Sequence, residues 1–386
     1  MTTPKTESEL SDIIAGANAP FRVQGGGTRP VGRTGEAAVL STSALSGIEL
    51  YEPGALTLVV RAGTPLEEVR RTVNAQGQRL AFEPMDHRGL LGTSGTPTIG
   101  GAIAANASGP RRIQTGAARD HLLGVRFVDG MGRVIKNGGR VMKNVTGYDL
   151  VKLMAGSWGT LGVLTELSLK VLPKSSVTGV LLLEGLGDAQ AVAALSLALG
   201  SPFEVTGAAH TQQGLDGAPV TMIRIEGTEA SVAYRAERLQ DRLSGFGAFT
   251  LETDAKRTAA GWEWVRDVAP FHKLAGDVWR VSVKPSDAPA LVAAIPGARA
   301  LYDWGGGLVW LLLPEGTPAD AVRAPLASIG GHATLIRGRL MGPAFHPLPA
   351  PIEALQAGLR RRFDPRGLLN PGLMQGNGDG DGGLAA

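Results

Sequence analysis

The chain has 386 residues, of which 43% are apolar and 19% are charged, and its formal net charge is +3. This length suits a globular protein with more than one hydrophobic core, because single cores rarely grow beyond about 250–300 residues. The absence of cysteine excludes disulfides, thiolate catalysis and cysteine ligation of an iron–sulfur cluster by this chain.

The first half of the chain is predicted to form short strands and helices separated by glycine-rich turns. Residues 21–24 form a strand that enters three consecutive glycines. Residues 65–76 form a helix with Thr64 as its N-cap and Pro65 at its first position. Residues 163–172 alternate in polarity, which predicts a strand. The other predicted strands of this half are residues 56–61 and a hairpin of residues 122–128 and 133–136.

The second half repeats one order of elements: a strand, a helix, two strands and a helix. The first copy is predicted at residues 177–183, 188–199, 203–208, 220–225 and 229–243. The second copy is predicted at residues 278–283, 288–295, 300–302, 308–313 and 319–327. Two such units predict an antiparallel sheet covered by helices. A final helix is predicted at residues 352–363.

These elements divide the chain into four segments. We expect one domain over residues 1–174 and a second over residues 175–338, with the boundary at a Pro-Lys-Ser-Ser run. Residues 339–374 form a C-terminal segment, and the Gly/Asp-rich residues 375–386 are expected to be a disordered tail.

Composition gives little support to nucleic-acid binding or membrane insertion. The sequence pI is near 9.2, but the arginines are scattered and aromatic residues make up only 5% of the chain. No apolar run approaches the roughly 18 residues that a membrane-spanning helix needs. The polar start of the chain has no signal-peptide pattern, so we expect a cytoplasmic protein that reaches the inner membrane only through partner subunits.

The first glycine cluster, Gln24-Gly25-Gly26-Gly27-Thr28-Arg29, has the composition of an anion-binding loop. Glycines let successive backbone N–H groups converge on one anion, the threonine adds a hydroxyl donor, and the arginine adds a positive charge. A pyrophosphate fits such a nest, although a flexible turn has the same pattern. The loop is not a Walker loop, because no lysine follows its last glycine, and Pro30 and Gly32 break the helix of a Rossmann fingerprint.

Two more glycine-rich segments precede regular elements. Residues 92–109 combine glycines and hydroxyl side chains with an alanine-rich run, which could present N–H groups to a phosphate or a cofactor ring. The same small residues are also typical of a close-packed core. Residues 155–163 contain three glycines just before a strand, where a plain loop is the simpler interpretation. Three clusters in one half of the chain favour a single shared site.

Together these segments resemble the FAD-binding domain of the vanillyl-alcohol-oxidase/p-cresol-methylhydroxylase superfamily. The resemblance runs from about Ser8 to Pro173. Residues 156–162 are similar to the superfamily's GSEGTLG motif, with Trp158 in place of glutamate. Residues 363–372 resemble its C-terminal motif, which returns to the flavin domain. The resemblance implies an α+β fold, with a two-subdomain FAD-binding domain and a cap domain built from an antiparallel sheet and helices.

The resemblance also implies which residues hold FAD. They are Gln24, Gly25, Gly26, Gly27, Thr28, Arg29, Pro84, Thr98, Gly100, Gly101, Asn106, Ser108, Gly109, Gly159, Thr160, Gly162, Val163 and Asn370. Superfamily members that attach FAD covalently often carry a histidine in the first loop. Positions 25–29 contain neither histidine nor cysteine, so we expect non-covalent FAD.

Within the superfamily, the chain looks most like the FAD-binding subunits of glycolate oxidase. Residues 145–150, residues 344–349 and the short chain carry this likeness. It implies an FAD-dependent oxidation of the CH–OH group of a small 2-hydroxy acid, from glycolate to glyoxylate. It also implies a complex with a larger flavin subunit and an iron–sulfur subunit, and the lack of cysteine agrees with electrons leaving to a separate chain.

The sequence assigns no side chain to catalysis. Arg337 and Arg339 could bind a carboxylate, His346 could act as a base, and His87 is a further candidate close to Pro84. A surface arginine pair and packed structural histidines are the simpler interpretations. The six histidines lack paired ligand spacing, so no metal site is predicted. The histidine-rich cap motif of larger 2-hydroxy-acid dehydrogenases is also missing, which weakens the case for substrate oxidation by this chain alone.

Three alternative functions stay open at this point. The chain could be a self-sufficient FAD-dependent 2-hydroxy-acid dehydrogenase, or a non-catalytic subunit in which FAD relays electrons or supports assembly. It could also be a reductase of the cell-wall UDP-sugar type. That enzyme would need a nicotinamide site, and the Asn-Pro-Gly motif at residues 370–372 disfavours it.

Overall fold

The computed structural model describes residues 1–32, 36–140, 147–339 and 342–374. The tail predicted at residues 375–386, and residues 145–146 of the run that resembles glycolate oxidase subunits, lie outside the described residues. None of the described helices is long and apolar enough to cross a membrane.

The N-terminal half consists of short strands and helices. Its strands are β1 (Phe21–Gln24), β2 (Ala38–Ser41), β3 (Ile48–Glu52), β4 (Thr57–Arg61), β5 (Gln78–Arg79), β6 (Leu122–Val128), β7 (Val134–Gly138), β8 (Val163–Lys170) and β9 (Leu172–Pro173). Its helices are α1 (Glu7–Ala15), α2 (Leu66–Asn74), α3 (Arg88–Leu91), α4 (Ile99–Ala104), α5 (Arg112–Thr115) and α6 (Leu150–Met154). The predicted strands and hairpin of this half are confirmed, with ends that differ by two residues or fewer.

Two sheets build this half and place the glycine segments beside each other. β1 and β2 pair in parallel, and β3-β4-β8-β6-β7 form an antiparallel five-stranded sheet. β8 lies in the middle of that sheet, and most of its side chains are buried on both faces. Val69 of α2 and Ile103 of α4 pack into the same apolar core as Leu167 of β8. The glycine segments therefore lie at the edge of a rigid, well-packed sheet.

The cap predicted for the second helix is wrong. α2 begins at Leu66, with Pro65 as the residue that precedes it. The Thr64 hydroxyl instead accepts a hydrogen bond from the Gly47 N–H at 2.9 Å and donates one to the Arg61 carbonyl at 2.7 Å. A contact with a distant loop thus takes the hydroxyl that sequence spacing alone assigned to the helix.

The second half forms an eight-stranded antiparallel sheet with helices. Its strands are β10 (Val177–Glu184), β11 (Gly207–Thr211), β12 (Val220–Gly227), β13 (Thr250–Glu252), β14 (Asp277–Ser282), β15 (Arg299–Asp303), β16 (Leu308–Leu313) and β17 (His332–Arg337). The helices are α7 (Asp188–Leu199), α8 (Glu229–Leu243), α9 (Ala255–Arg266), α10 (Ala288–Ala293), α11 (Ala319–Ile329) and α12 (Ala350–Phe363). The repeated order of elements is confirmed, although β13, α9 and β17 were not predicted and β11 starts four residues later than expected.

The two repeated units join into this single sheet, in the order β13-β10-β12-β11-β15-β16-β14-β17. The junction is the antiparallel pair of β11 and β15, where His210 lies opposite Tyr302. Because side chains alternate along a strand, β14 sends Trp279 and Val281 toward the helices of this half. Its Val278 points the other way, into a core shared with Met85 of the N-terminal half. The helices α7, α8, α10 and α11 therefore cover one face of the sheet, and the N-terminal half together with α9 covers the other.

A buried network of charged side chains joins the two halves. Glu83 accepts hydrogen bonds from both terminal nitrogens of Arg224, each at 3.0 Å, and from Arg111 at 2.7 Å. Glu226 in turn pairs with Arg111 and with Arg79. Burial raises the pKa of Glu83, but the guanidinium groups of Arg224 and Arg111 outweigh that effect and lower it to about 2. Glu83 is thus ionised at neutral pH.

The C-terminal segment returns to the first strand. The Phe21 N–H donates to the Leu368 carbonyl at 2.7 Å, and the Asn370 N–H donates to the Phe21 carbonyl at 2.9 Å. This places the Asn-Pro-Gly turn beside β1 and close to the first glycine loop. The division of the chain into the four segments given above stays a proposal.

Candidate functional site

The three glycine segments meet around one cleft. The predicted cofactor residues that line it are Gln24, Gly25, Gly26, Gly27, Thr28, Arg29, Thr98, Gly100, Gly101, Gly159, Gly162 and Val163. Residues of the wall that were not predicted are Val23, Thr42, Ala62, Leu66, Pro97, Ala102, Ala104, Ala105, Trp158 and Leu164. Clefts with mostly apolar walls and a few polar groups are typical of cofactor sites.

The first loop turns its backbone donors to the cleft. Among the described residues, no acceptor takes a hydrogen bond from the N–H groups of Gly25, Gly26, Gly27 or Thr28. Gly27 has a φ of +69°, and a Cβ on Gly26 would overlap the carbonyl of Thr96 in the neighbouring loop. Free N–H groups in sequence, held by such a close approach, form a nest that suits an anion.

Arg29 adds a fixed positive charge at the end of this loop. Its guanidinium donates to the Gly101 carbonyl at 2.8 Å and to Nδ1 of His87 at 3.2 Å. Burial lowers the pKa of Arg29 to about 10, so the group stays charged at neutral pH. Burial and the charge of Arg29 hold the pKa of His87 well below its ordinary value. The His87 ring is therefore neutral, and its Nδ1 is the acceptor.

The second segment contributes a packed wall. Thr98 caps α4 by accepting a hydrogen bond from the Gly101 N–H at 3.2 Å, and the Gly100 N–H donates to the Ala62 carbonyl at 2.8 Å. These two N–H groups are already occupied, so the expectation that this segment presents them to a ligand is wrong for Gly100 and Gly101. Gly100 lets α4 approach the residue that follows β4, because a Cβ on Gly100 would lie 2.6 Å from the Ala62 carbonyl.

The third segment closes the cleft with a bulky side chain. Trp158 has a φ of +53°, its N–H donates to the Ala104 carbonyl at 2.9 Å, and its ring meets Phe345 edge-on. Asn370 fixes this loop, because its amide donates to the Trp158 carbonyl at 2.8 Å while its Oδ1 accepts from the Val23 N–H at 2.7 Å. The C-terminal segment thus joins two walls of the cleft.

Six of the predicted cofactor residues do not line the cleft. They are Pro84, Asn106, Ser108, Gly109, Thr160 and Asn370. Their contacts are internal: the Ser108 hydroxyl accepts from the Ala118 N–H, and the Thr160 hydroxyl donates to the Ser157 carbonyl. The Pro84 carbonyl accepts from Arg70. These residues support the wall of the cleft without lining it. A motif match alone cannot distinguish a supporting residue from a lining residue.

The predicted carboxylate and base candidates lie away from the cleft wall. The Arg337 guanidinium donates to the backbone carbonyls of Gly276, Leu90, Phe271 and Leu274. Four of its five N–H groups are therefore engaged, which makes Arg337 a structural cross-link and leaves one N–H, too few for the bidentate carboxylate contact considered for it. Arg339 is exposed, and His346 accepts from the Ala333 N–H through Nδ1 at 3.3 Å.

A different pair of arginines faces the junction of the two halves. Arg112 and Arg280 lie over the ring of Trp304, with guanidinium carbons 4.5 Å and 5.3 Å from its centre. Within the described residues, neither side chain has a hydrogen-bonding or ion-pairing partner. Burial, and then the charge of Arg112, lower the pKa of Arg280 to about 10, so both are cationic at neutral pH. Two unpaired cations held together are an electrostatic cost that an anionic ligand would relieve.

This pair is adjacent to the cleft. Ala104 and Ala105 line the cleft, and the chain continues through Gly109, whose carbonyl accepts from the Trp304 indole N–H at 3.0 Å. The sequence carried a signal for Arg280, since it is a lone charge within an apolar strand. Arg112 carried a weaker signal, because it belongs to an Arg-Arg dipeptide that follows the second segment. Their convergence on one indole is a tertiary contact and has no sequence pattern.

Comparison with known proteins matches the N-terminal part of the chain to a family model and most of the chain to a relative. Residues 1–138 match a family model described as an FAD binding domain. Glycolate oxidase subunit GlcE of Escherichia coli (strain K12) is 36% identical over 358 residues, which span 92% of this chain and 92% of that protein.

Other relatives share only part of the chain. Glycolate oxidase subunit GlcD of Bacillus subtilis (strain 168) is 33% identical over 186 residues, 46% of this chain and 38% of that protein. A D-lactate dehydrogenase of Archaeoglobus fulgidus is 34% identical over 177 residues, 44% of this chain and 38% of that protein. A solved alkyldihydroxyacetonephosphate synthase superposes with a TM-score of 0.68 at 17% identity, over 96% of this chain and 76% of that one. The last likeness confirms the predicted α+β fold.

Proposed function

Since this chain belongs to the family of glycolate oxidase subunit GlcE and is an FAD-dependent oxidoreductase, we propose that it is the FAD-binding subunit of a complex that oxidises glycolate to glyoxylate. Electrons would pass to a separate iron–sulfur subunit, because this chain has no cysteine to hold a cluster. A larger flavin subunit completes the proposed complex. The complex would work in the cytoplasm and reach the inner membrane through those partners.

The observation that carries the proposal is the loop of free N–H groups at one end of the cleft. Gly25, Gly26, Gly27 and Thr28 supply donors and Arg29 supplies a positive charge, which together suit the pyrophosphate of FAD. Among the residues that the structure describes, no histidine, cysteine or tyrosine lines the cleft. His87, the nearest histidine described here, lies behind Arg29 and shares a hydrogen bond with it. We therefore propose that FAD is held without a covalent bond.

The unpaired Arg112 and Arg280 support a substrate that carries a carboxylate. FAD, when bound, would supply the acceptor for the α-hydrogen and two electrons of a 2-hydroxy acid. Two guanidinium groups over the Trp304 ring can bind a carboxylate and orient its α-carbon, while the indole limits the size of the remaining substituent. Glycolate has only hydrogen there. This arrangement favours oxidation in this chain over a purely relaying or assembling role.

An anaerobic titration tests the proposal. The full chain is purified without partners, its visible flavin spectrum is recorded, and glycolate is added without oxygen, with acetate as the control carboxylate that lacks a hydroxyl. We expect glycolate to bleach the flavin and acetate to leave it oxidised. Flavin that glycolate reduces only after the partner subunits are added would contradict substrate oxidation here and favour the relay function.

A further inference from the structure

The helix α12 carries its apolar side chains on the outside. Ile352, Leu355 and Leu359 are 50%, 67% and 38% exposed, and no residue of the helix is buried. Their spacing of three and four residues puts them on one face. We call this set the α12 stripe. A helix of a soluble protein normally turns such a face to its own core, so the stripe is left without a cover by the described residues.

The adjacent face of α12 is held by contacts that do not involve the stripe. Arg360 donates to the Leu373 carbonyl, and the Gln356 amide donates to the Met374 carbonyl at 3.4 Å. At the end of the helix, the Phe363 ring packs 6.0 Å from that of Phe127. The helix is therefore positioned from its inner side, and the folded chain gains nothing from Leu355 at 67% exposure.

A glycine within the helix adds an independent observation. Gly358 lies between Leu355 and Leu359, and a Cβ placed on it would meet no atom within 4 Å. Glycine inside a helix costs about 1 kcal/mol relative to alanine, and no contact of the described chain requires it here. An absent Cβ beside two exposed leucines leaves room for the close approach of another polypeptide.

Charge decides which occupant fits this face. Arg362 follows Leu359 by three residues and so lies on the face of the stripe, Arg361 next to it is also exposed, and Glu353 is the only carboxylate on the helix. A second copy of the chain would bring two more guanidinium groups against one more carboxylate, so self-pairing is electrostatically poor. A partner with apolar side chains bordered by carboxylates would satisfy both the stripe and the arginines.

We propose that the α12 stripe, with Arg361 and Arg362, docks a partner subunit of the oxidase complex, and this rests on the function proposed above. The position supports electron transfer. α12 contacts the carbonyls of Leu373 and Met374, next to the turn whose Asn370 bonds Val23 and Trp158 of the cleft wall. A partner on α12 would thus lie directly behind the proposed flavin site.

Co-purification of the complex tests this surface. The tagged full chain is expressed with the larger flavin and iron–sulfur subunits, as wild type, as Leu355→Asp, and as the control Leu215→Asp, which changes a leucine that is 87% exposed elsewhere. We expect Leu355→Asp to recover tenfold less partner, while keeping its flavin and its melting temperature. Arg361→Glu with Arg362→Glu should weaken recovery further as salt is lowered, since like charges then face each other.

Three results would overturn the proposal. Equal recovery of partners by Leu355→Asp and wild type would place the interface elsewhere. A wild-type chain that is dimeric alone and becomes monomeric as Leu355→Asp would make the stripe a self-contact. A chain ending at Met374 that binds an apolar dye more strongly than the full chain would make residues 375–386 the cover. The proposed function fails separately, if the wild type holds flavin but binds no partner at all.

Discussion

Trp158, Trp304 and Asn370 have backbone φ angles of 53°, 53° and 48°, which bulky side chains rarely adopt. Such conformations cost about 1–3 kcal/mol each and persist where surrounding contacts fix them. Here the Trp304 N–H donates to the Asp303 carboxylate at 2.7 Å, and Asn370 holds the carbonyl of Trp158. The strain is concentrated around the cleft and the arginine pair, which is where a ligand needs preorganised walls.

Arg280 provides the residue-scale prediction. Replacing Arg280 with methionine should raise the KM for glycolate at least tenfold, because one of the two proposed carboxylate donors is lost while the apolar stem is kept. The flavin content and the melting temperature should stay unchanged, since Arg280 makes no hydrogen bond among the described residues. Steady-state kinetics of the complex measure this.

Arg71→Met is the matched control, because Arg71 is exposed on α2. Its KM should equal that of the wild type. If Arg280→Met and Arg71→Met have the same KM for glycolate, the arginine pair does not bind the substrate carboxylate, and the cations over Trp304 serve another purpose.

At the scale of elements, glycines serve two purposes that the sequence alone could not separate. Some allow close packing of the backbone, and others present N–H groups to a ligand. The pattern of three clusters predicted a shared site, and the segments do meet around one cleft. The pattern could not predict that Gly100 and Gly101 serve helix packing while Gly25, Gly26 and Gly27 keep free N–H groups. Both uses need glycine, and only the tertiary neighbours decide between them.

Gly26 provides the element-scale prediction. Gly26→Ala should abolish tight FAD binding, because the new Cβ would overlap the Thr96 carbonyl and force the first loop away from residues 95–98. The ratio of flavin to protein absorbance after purification measures this. Gly54→Ala is the control, since a Cβ at Gly54 meets nothing within 4 Å. Full flavin occupancy in Gly26→Ala would show that the approach of the two loops is not needed.

Secondary structure was predictable where periodicity was strong and local. Residues 188–199, 229–243 and 308–313 match α7, α8 and β16 at both ends. The strand β13 has three residues, too few to show a period, and it was missed, as was the six-residue edge strand β17. The capping role of Thr64 failed for a related reason, because Gly47 reaches it from another loop.

For the whole molecule, the charged network determines how the two halves sit together. Glu83, Arg79 and Arg111 come from the N-terminal half, whereas Arg224 and Glu226 lie on β12. The partners that pair across the two halves are more than 100 residues apart in sequence, as with Glu83 and Arg224 at a separation of 141. No sequence pattern predicts such pairs.

Glu83→Gln provides the whole-molecule prediction. It leaves three arginines facing one carboxylate, so the free energy of unfolding at neutral pH should fall by about 3–5 kcal/mol. The folded pKa of Glu83 is about 2, below its ordinary value of 4.5. The contribution of ionised Glu83 to the free energy of unfolding is therefore fully present above pH 4.5 and is lost as the pH falls through about 2. The loss amounts to at most about 3 kcal/mol.

Urea unfolding between pH 2 and pH 7 measures both effects. Glu83→Gln should lose stability less steeply on acidification than the wild type. Glu237→Gln, a change at an exposed residue of α8, should follow the wild type. An acid dependence that is the same in all three proteins would contradict the role of Glu83 in joining the halves.

The central claim is that this chain holds FAD non-covalently in the cleft between its glycine segments. Acid precipitation of the purified chain, followed by a visible spectrum of supernatant and pellet, tests it most directly. We predict a yellow protein that releases its flavin to the supernatant as intact FAD. A colourless protein would contradict FAD binding, and flavin that remains in the pellet would contradict the non-covalent site.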